Sequence, residues 1–360
     1  MSKQTDVFID DLMGFDPTQL SVFNEPEQKT TQNQNLYKTN PLKVDSKIST
    51  DGHYHAKIRI IYNPHDMKQS IVNNAHYAMT DANGFFMIDS KIAQGDRNCF
   101  MFKAWKQLHF SNDDTRFEVD GKQYTKKEWG DHMFDKGEER FCLVQIMEDV
   151  NQPELVGKFK AWRLPKAIYD MIQAKMNPTD KSKAPQDLMN YLFGPILELD
   201  VTPGPDDPAH PERKQREIKY TLCAFESDPT PITTVTGESL FTDEELDMIN
   251  DYAEGKKIIN NPKSTAKKKE ESTAKCRELI EPLKKLMQKA IDYVKENAIN
   301  LVDEFGYHEP TPEQRKRAEA WIDIVVNKLA NPQTYNNTEA APAIETGEDA
   351  LASEEDDLPF

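Results

Sequence analysis

The charge along this chain is spread so unevenly that only its middle can pack into a domain. Residues 331–360 carry eight acidic side chains and no basic one. Residues 1–30 carry Asp6, Asp10, Asp11, Asp16, Glu25 and Glu27 against Lys3 and Lys29. Such segments bury too little apolar surface to offset the entropy lost on ordering them. The expectation is a core flanked by a mostly disordered acidic N-terminal arm, residues 1–50, and a disordered acidic tail, residues 331–360. Within the arm, Val7 to Phe15 is a short amphipathic motif that touches either the chain's own core or a partner. The formal net charge of −17 argues, as a sum, against a nucleic-acid partner. With both ends set aside the middle is much nearer neutral and can carry a basic groove.

In the middle, Ala56 to Tyr62 partly alternates and ends at the turn Asn63-Pro64-His65-Asp66, which predicts a strand. Ile71 to Met79 and Phe85 to Ile88 predict a hairpin, and Phe100 to Trp105 a helix. Phe141 to Met147 and Lys158 to Leu164 read as strands. The second places Lys158, Lys160 and Trp162 on one face and Phe159, Ala161 and Arg163 on the other. Pro165 opens a helix through Met176, since a first-turn proline forfeits no amide donor. Pro185 to Phe193 predicts another short helix. Ile196 to Val201 and Glu217 to Phe225 read as closing strands. Thr242 and Glu245 form a capping box. Residues 255–275 read as a Lys-rich linker. Glu278 to Phe305 and Thr311 to Leu329 read as an antiparallel helical pair, packed through the apolar stripe that includes Leu279, Leu283, Leu286 and Ile291. The expected fold class is thus a mainly β core with helical insertions over 51–255, then linker and helical pair over 256–330.

Catalytic signals are few. The sequence contains no GxxxxGK or GxGxxG phosphate loop and no nucleophile elbow. His53 and His55 lack a third ligand in register, and the carboxylates form no nuclease-type pattern. The expectation is a non-enzymatic protein, with a divergent metal-dependent nuclease as the enzymatic alternative. Cys99, Cys142, Cys223 and Cys276 are far apart, as in a reduced cytoplasmic protein. No run approaches the ~18 apolar residues of a membrane span, and no export signal is visible.

Aromatic and basic residues are interleaved on the predicted elements: Lys57, Arg59 and Tyr62; Lys103, Trp105 and Lys106; Arg140 and Phe141; Lys158, Lys160, Trp162 and Arg163; Lys219 and Tyr220. Single-stranded nucleic acid offers base faces for stacking and a line of phosphates for cations, so a protein holding it without reading sequence needs both residue types side by side. The alternative is a core of aromatics under a solvated lysine face, in a protein-interaction adaptor that binds no nucleic acid. The final residues, Asp356-Asp357-Leu358-Pro359-Phe360, suit a partner with a basic pocket for the acids and an apolar slot for Phe360. Pro359 limits the conformations lost on docking. The preceding ~25 residues would act as a tether with a mean reach of roughly 25–30 Å.

The tip resembles that of bacterial single-stranded DNA-binding proteins, which ends in acids, an aliphatic residue, Pro and Phe. Residues 54–226 resemble instead the single-stranded DNA-binding protein of T-even phages, whose core is an OB-fold barrel. The resemblance runs in order through Ala56 to Pro64, Asn74-Ala75-His76, Asn83 to Ile88, Arg140 to Ile146, Gly157 to Arg163 and Ile168 to Ile172. It implies a protein that coats single-stranded DNA in phage replication, recombination and repair, in the cytoplasm of a bacterial host. Its tip would recruit phage or host replication and repair proteins. The family's structural zinc uses one His and three Cys. Here His76 and Cys99 stand at two of those positions, with Ser90 and Phe102 at the others. Four ligands are needed, so the expectation is a degenerate site with no cofactor. The family's basic N-terminal arm is replaced by an acidic one.

Overall fold

The computed structural model describes Leu42 and residues 53–81, 84–90, 98–119, 121–180, 183, 185–203, 216–222 and 229–330. The Val7–Phe15 motif, the acidic tail and the tip at Asp356, Asp357, Leu358, Pro359 and Phe360 lie outside the described residues. In chain order the elements are β1 (Tyr54–Ile61), β2 (Ile71–Asp81), β3 (Gly84–Ser90), α1 (Phe100–His109), β4 (Phe117–Val119), β5 (Lys122–Tyr124), α2 (Lys126–Met133) and β6 (Asp135–Asp149). There follow β7 (Phe159–Arg163), α3 (Lys166–Met176), β8 (Leu197–Pro203), β9 (Arg216–Leu222), α4 (Asp243–Asn260), α5 (Ala266–Asn297), α6 (Leu301–Phe305) and α7 (Pro312–Asp323), which runs on into a π-helical turn, Ile324–Leu329. They divide into two compact units. Among the described residues one holds Leu42, 53–73 and 139–306, and the other holds 74–138 and 307–330.

In the first unit the strands hydrogen-bond in the order β7-β6-β1-β8-β9, each pair antiparallel. Leu143 sits between Ile61 on one side and Ala161 on the other. The described strands form no closed barrel. The architecture is therefore a mostly antiparallel sheet of strands with several helices. β6 is buried without a break from Glu139 to Ile146, the mark of a strand covered on both faces. Its core joins β1, β6 and β7 to Ile168, Ile172 and Met176 of α3, to Leu188 and Leu192, and to Leu283 and Phe305.

Residues 185–193 form turns, not the expected helix. Asp187 accepts hydrogen bonds from the Tyr62 hydroxyl at 2.9 Å, from Asn190 Nδ2 at 3.1 Å and from the Met189 amide at 3.1 Å. Local side-chain bonds of this kind compete with the helical ladder. Gln145 fastens the segment after β9 to the sheet, donating to the carbonyls of Gly157 and Thr233 at 2.9 and 2.8 Å. Gly157, at φ +84°, is required there, because a methyl group would stand 2.6 Å from the Gly237 amide nitrogen.

The Lys-rich stretch is helical. Thr242 and Glu245 cap α4 reciprocally, Thr265 caps α5, and only residues 261–265 separate the two helices. α5 packs on α4 through a stripe that includes Ser272, Cys276, Leu283, Met287, Ala290 and Val294. Near the turn, a methyl on Gly255 would lie 2.5 Å from Cys276 Sγ. Glu278 is thus in the middle of α5, which packs on α4 within this unit.

In the second unit β2 and β3 form a hairpin from Ala75↔Ser90 to Asp81↔Gly84. α1 packs on α2, and α7 with its π-helical turn also contacts α1. Their core includes Tyr77, Met101, Leu108, Trp129, Ala318 and Val326. Trp129 Nε1 donates to the Val325 carbonyl at 3.1 Å, near a helix end where carbonyls lack intrahelical partners. Capping boxes open α2 at Thr125 and Glu128 and α7 at Thr311 and Gln314. No helix among the described residues is long and apolar enough to cross a membrane.

Candidate nucleic-acid interface

The expected aromatic and basic residues separate into two groups. On the sheet of the first unit most are internal. Arg59, Tyr62 and Phe141 are fully buried, Trp162 is 2% exposed and Arg140 7%. Arg59 donates to the Asn190 carbonyl. Burial pulls its guanidinium pKa down to about 9, partly countered by Asp187. Phe141 stacks on Phe305 at 4.3 Å. Arg140 lies 4.2 Å over the Tyr169 ring. Trp162 is bridged by Leu42, whose amide donates to the Ala161 carbonyl at 2.6 Å. None of these five offers an open face to a base. The expected face of Lys158, Lys160 and Trp162 loses its tryptophan because β7 is covered on both sides.

The sheet's outward cations are largely neutralised. Lys57 donates to Glu148 at 2.7 Å and lies 4.0 Å from Glu198. The hydrogen bond from Lys57 is the main cause that holds the Glu148 carboxyl below its ordinary range. His55 pairs with Asp200 at 2.6 Å. Arg163 bonds the buried Glu139 carboxylate at 2.8 Å. Lys158 is exposed and Lys160 half-buried, with no ion pair among the described residues. Of Lys219 and Tyr220 only the backbone is described, paired with Asp200 and Leu199.

α1 is where the two residue types come together at the surface. Met101, Ala104 and Leu108 face the core. Phe102, Trp105 and His109, which follow one another at helical spacing, lie off that stripe and are half-buried, Phe102 and Trp105 packing at the edge of the same core. Their rings form a ladder: Phe102 stacks on Trp105 at 5.7 Å and Trp105 on His109 at 4.3 Å. Phe110 meets Trp105 and His109 edge-on at 5.6 and 4.8 Å and remains 61% exposed. Asp131 of α2 sets the orientation, accepting from Trp105 Nε1 at 3.1 Å and pairing with His109 Nδ1 at 2.6 Å. Lys103 and Lys106 are exposed beside Trp105, with no ion pair among the described residues. A second ring pair, Tyr124 on His132 at 5.2 Å, lies near the exposed Lys122 and Lys127. The local acids are partly occupied: Asp113 pairs with Lys126 at 2.9 Å and Glu128 with Arg116 at 3.2 Å.

Phe110, Tyr124, His132, Lys122 and Lys127 are additions that strand-based reading overlooks. Phe102, Trp105 and His109 are visible in the sequence once a 3.6-residue period is applied. His76 is buried in β2, with Gly137 against its ring. Cys99 lines a pocket of about 120 Å³ with Asp89, Tyr307 and Arg315. Phe102 is committed to the ladder. Among the described residues no group of three His, Cys, Asp or Glu side chains could hold a metal ion. No protein-family model matches the chain, and no curated protein matches its sequence.

Proposed function

We propose that the chain is a non-enzymatic single-stranded DNA-binding protein, holding its strand by base stacking and phosphate contacts and recruiting other proteins through the tip at Asp356–Phe360. The observation that carries this reading is the half-buried ring ladder of α1, with Phe110 exposed at its end and the exposed Lys103 and Lys106 on the same helix. A stacked base contributes ~1–3 kcal/mol, and the flanking cations add salt dependence. The T-even resemblance supports a role in phage DNA replication, recombination and repair inside a bacterial host, with an OB-type core as the finer description of the antiparallel sheet. Recruited partners would be phage or host replication and repair enzymes.

Titration of the protein with a dT oligonucleotide is expected to quench tryptophan fluorescence, less so at high salt. The combined variant Phe110→Ala, Lys103→Gln, Lys106→Gln is expected to bind about 5- to 150-fold more weakly, the range of one stacked base. Absence of any salt-dependent quenching in the wild type would sink the reading. The burial of Arg59, Tyr62, Phe141 and Trp162 favours a second reading, a protein-interaction adaptor, and the same null titration would select it. DNA cleavage that survives repurification in the presence of Mg²⁺ or Mn²⁺ would select the nuclease instead.

A further inference from the structure

We propose that the tip of the α4–α5 hairpin is a second contact for a nucleic acid strand, one that takes its phosphates and ignores its bases. The inference rests on the nucleic-acid reading for its ligand, but on different residues. The chain carries a formal charge of −17, yet residues 255–277 hold eight basic side chains and two acidic ones. Lys257, Lys263, Lys267, Lys268 and Lys275 are exposed. Lys263, Lys268, Lys269 and Lys275 have no ion pair among the described residues, and Lys267 is 4.0 Å from Glu271. Elsewhere in the same unit, Lys57, Arg163, Lys166, Lys284 and Lys289 each lie within 3.3 Å of a carboxylate. Cations left without counter-charge on an acidic protein form a local surface for a polyanion.

The arrangement also departs from local helix electrostatics. The positive end of a helix macrodipole favours acids and disfavours lysines. α2, α4 and α7 place Glu128, Glu245 and Gln314 at the capping-box position. α5 places Lys268 there, with Lys267 and Lys269 beside it and no acid in its first turn. Departures of this kind from local consistency concentrate at functional surfaces. The close approach of Gly255 to Cys276 holds the lysine-bearing ends of both helices side by side. Residues 256–277 contain no aromatic side chain, so the surface has nothing on which to stack a base.

The test uses the full chain and the variant Lys263→Gln, Lys267→Gln, Lys268→Gln, Lys275→Gln. Gln has a helix propensity close to that of Lys, and losing these charges relieves the first turn of α5, so folding is retained and is checked by circular dichroism. Binding of a fluorescein-labelled dT oligonucleotide is followed by anisotropy across salt. The log–log salt slope is expected to become shallower by about 2–3, from four contacts at about 0.7 each, while tryptophan quenching at saturation stays as in the wild type. Binding of inorganic polyphosphate should weaken in parallel. An unchanged slope in a folded variant would overturn the proposal. A slope difference that vanishes when residues 331–360 are deleted would also overturn it, identifying the acidic tail as the occupant. A hairpin-dependent slope together with no effect of the Phe110, Lys103 and Lys106 substitutions would overturn the α1 ladder and leave the hairpin standing.

Discussion

The sheet of the first unit and helix α1 of the second contain the same kinds of residue and use them oppositely. Arg59, Phe141 and Trp162 lie on neighbouring strands, and all are buried. Phe102, Trp105 and Lys106 lie on one short helix and are half-buried or exposed. The difference is what covers the element. β6 is covered on both faces, so alternation along it does not separate inside from outside. α1 has one buried stripe, Met101, Ala104 and Leu108, so the residues off that stripe keep part or all of their surface open. An aromatic next to a cation is an interface only where one face of its element is left open.

The largest tests of this contrast remove buried side chains from the sheet. Arg59→Met takes away the positive charge that favours ionised Asp187 and leaves the Asn190 carbonyl without its donor, at a cost of about 1–3 kcal/mol. Burial already raises the Asp187 pKa above its ordinary value, and losing Arg59 raises it further. The folded state then holds a proton that the unfolded state has released. The deficit is therefore smallest near pH 4 and grows as pH rises toward the folded-state pKa of Asp187. Denaturant melts at pH 4.5 and 7.5 check this, and an equal deficit at both would mean that Arg59 does not act through Asp187. Phe141→Ala is expected to cost ~3–5 kcal/mol through the cavity left beside Phe305. Oligonucleotide affinity per folded molecule should stay at the wild-type value in both variants. A specific loss of affinity would make the sheet an interface and erase the contrast.

Several features were legible in the sequence for physical reasons. β1 and β7 fall close to their expected places because turns bound them, and α3 because Pro165 opens it. The capping box at Thr242 marked the start of α4. α5 was hidden because eight basic residues between 255 and 277 mask the stripe Ser272, Cys276 and Leu283, although Ala, Lys and Glu are strong helix formers. β4 and β5 have three residues each, too few to show a period. The ladder was half legible: Trp105, Lys103 and Lys106 were picked out by residue type, but Phe110 and the Tyr124–His132 pair depend on tertiary placement. Burial of Arg59 was not legible, since its partners Asp187 and Asn190 lie more than 100 residues away.

A smaller effect is expected at the ladder's anchor. Asp131→Ala removes the acceptor shared by Trp105 Nε1 and His109 Nδ1. The bonds are partly exposed, so the stability change should be about 0.5–1.5 kcal/mol. The informative readout is the emission of Trp105 and its quenching by dT, which should fall as the stack loosens. Unaltered emission and quenching would mean that the rings hold their order without Asp131.

The smallest expected effect lies on the sheet. Lys57→Gln removes a cation that already has Glu148 at 2.7 Å and Glu198 at 4.0 Å. Exposed pairs of this kind contribute ~0–1 kcal/mol, so little stability is at stake. A lysine engaged by two carboxylates must leave them to reach a phosphate, and the strand would then meet the uncovered acids together with Asp200. Oligonucleotide affinity and its salt slope are therefore expected to stay within error of the wild type. If the slope instead fell by about 0.7, the value for one lost phosphate contact, Lys57 would be exchanging its carboxylates for DNA. The outward face of β1 and β8 would then count with α1 as an interface, and the line between the two regions would run through that sheet.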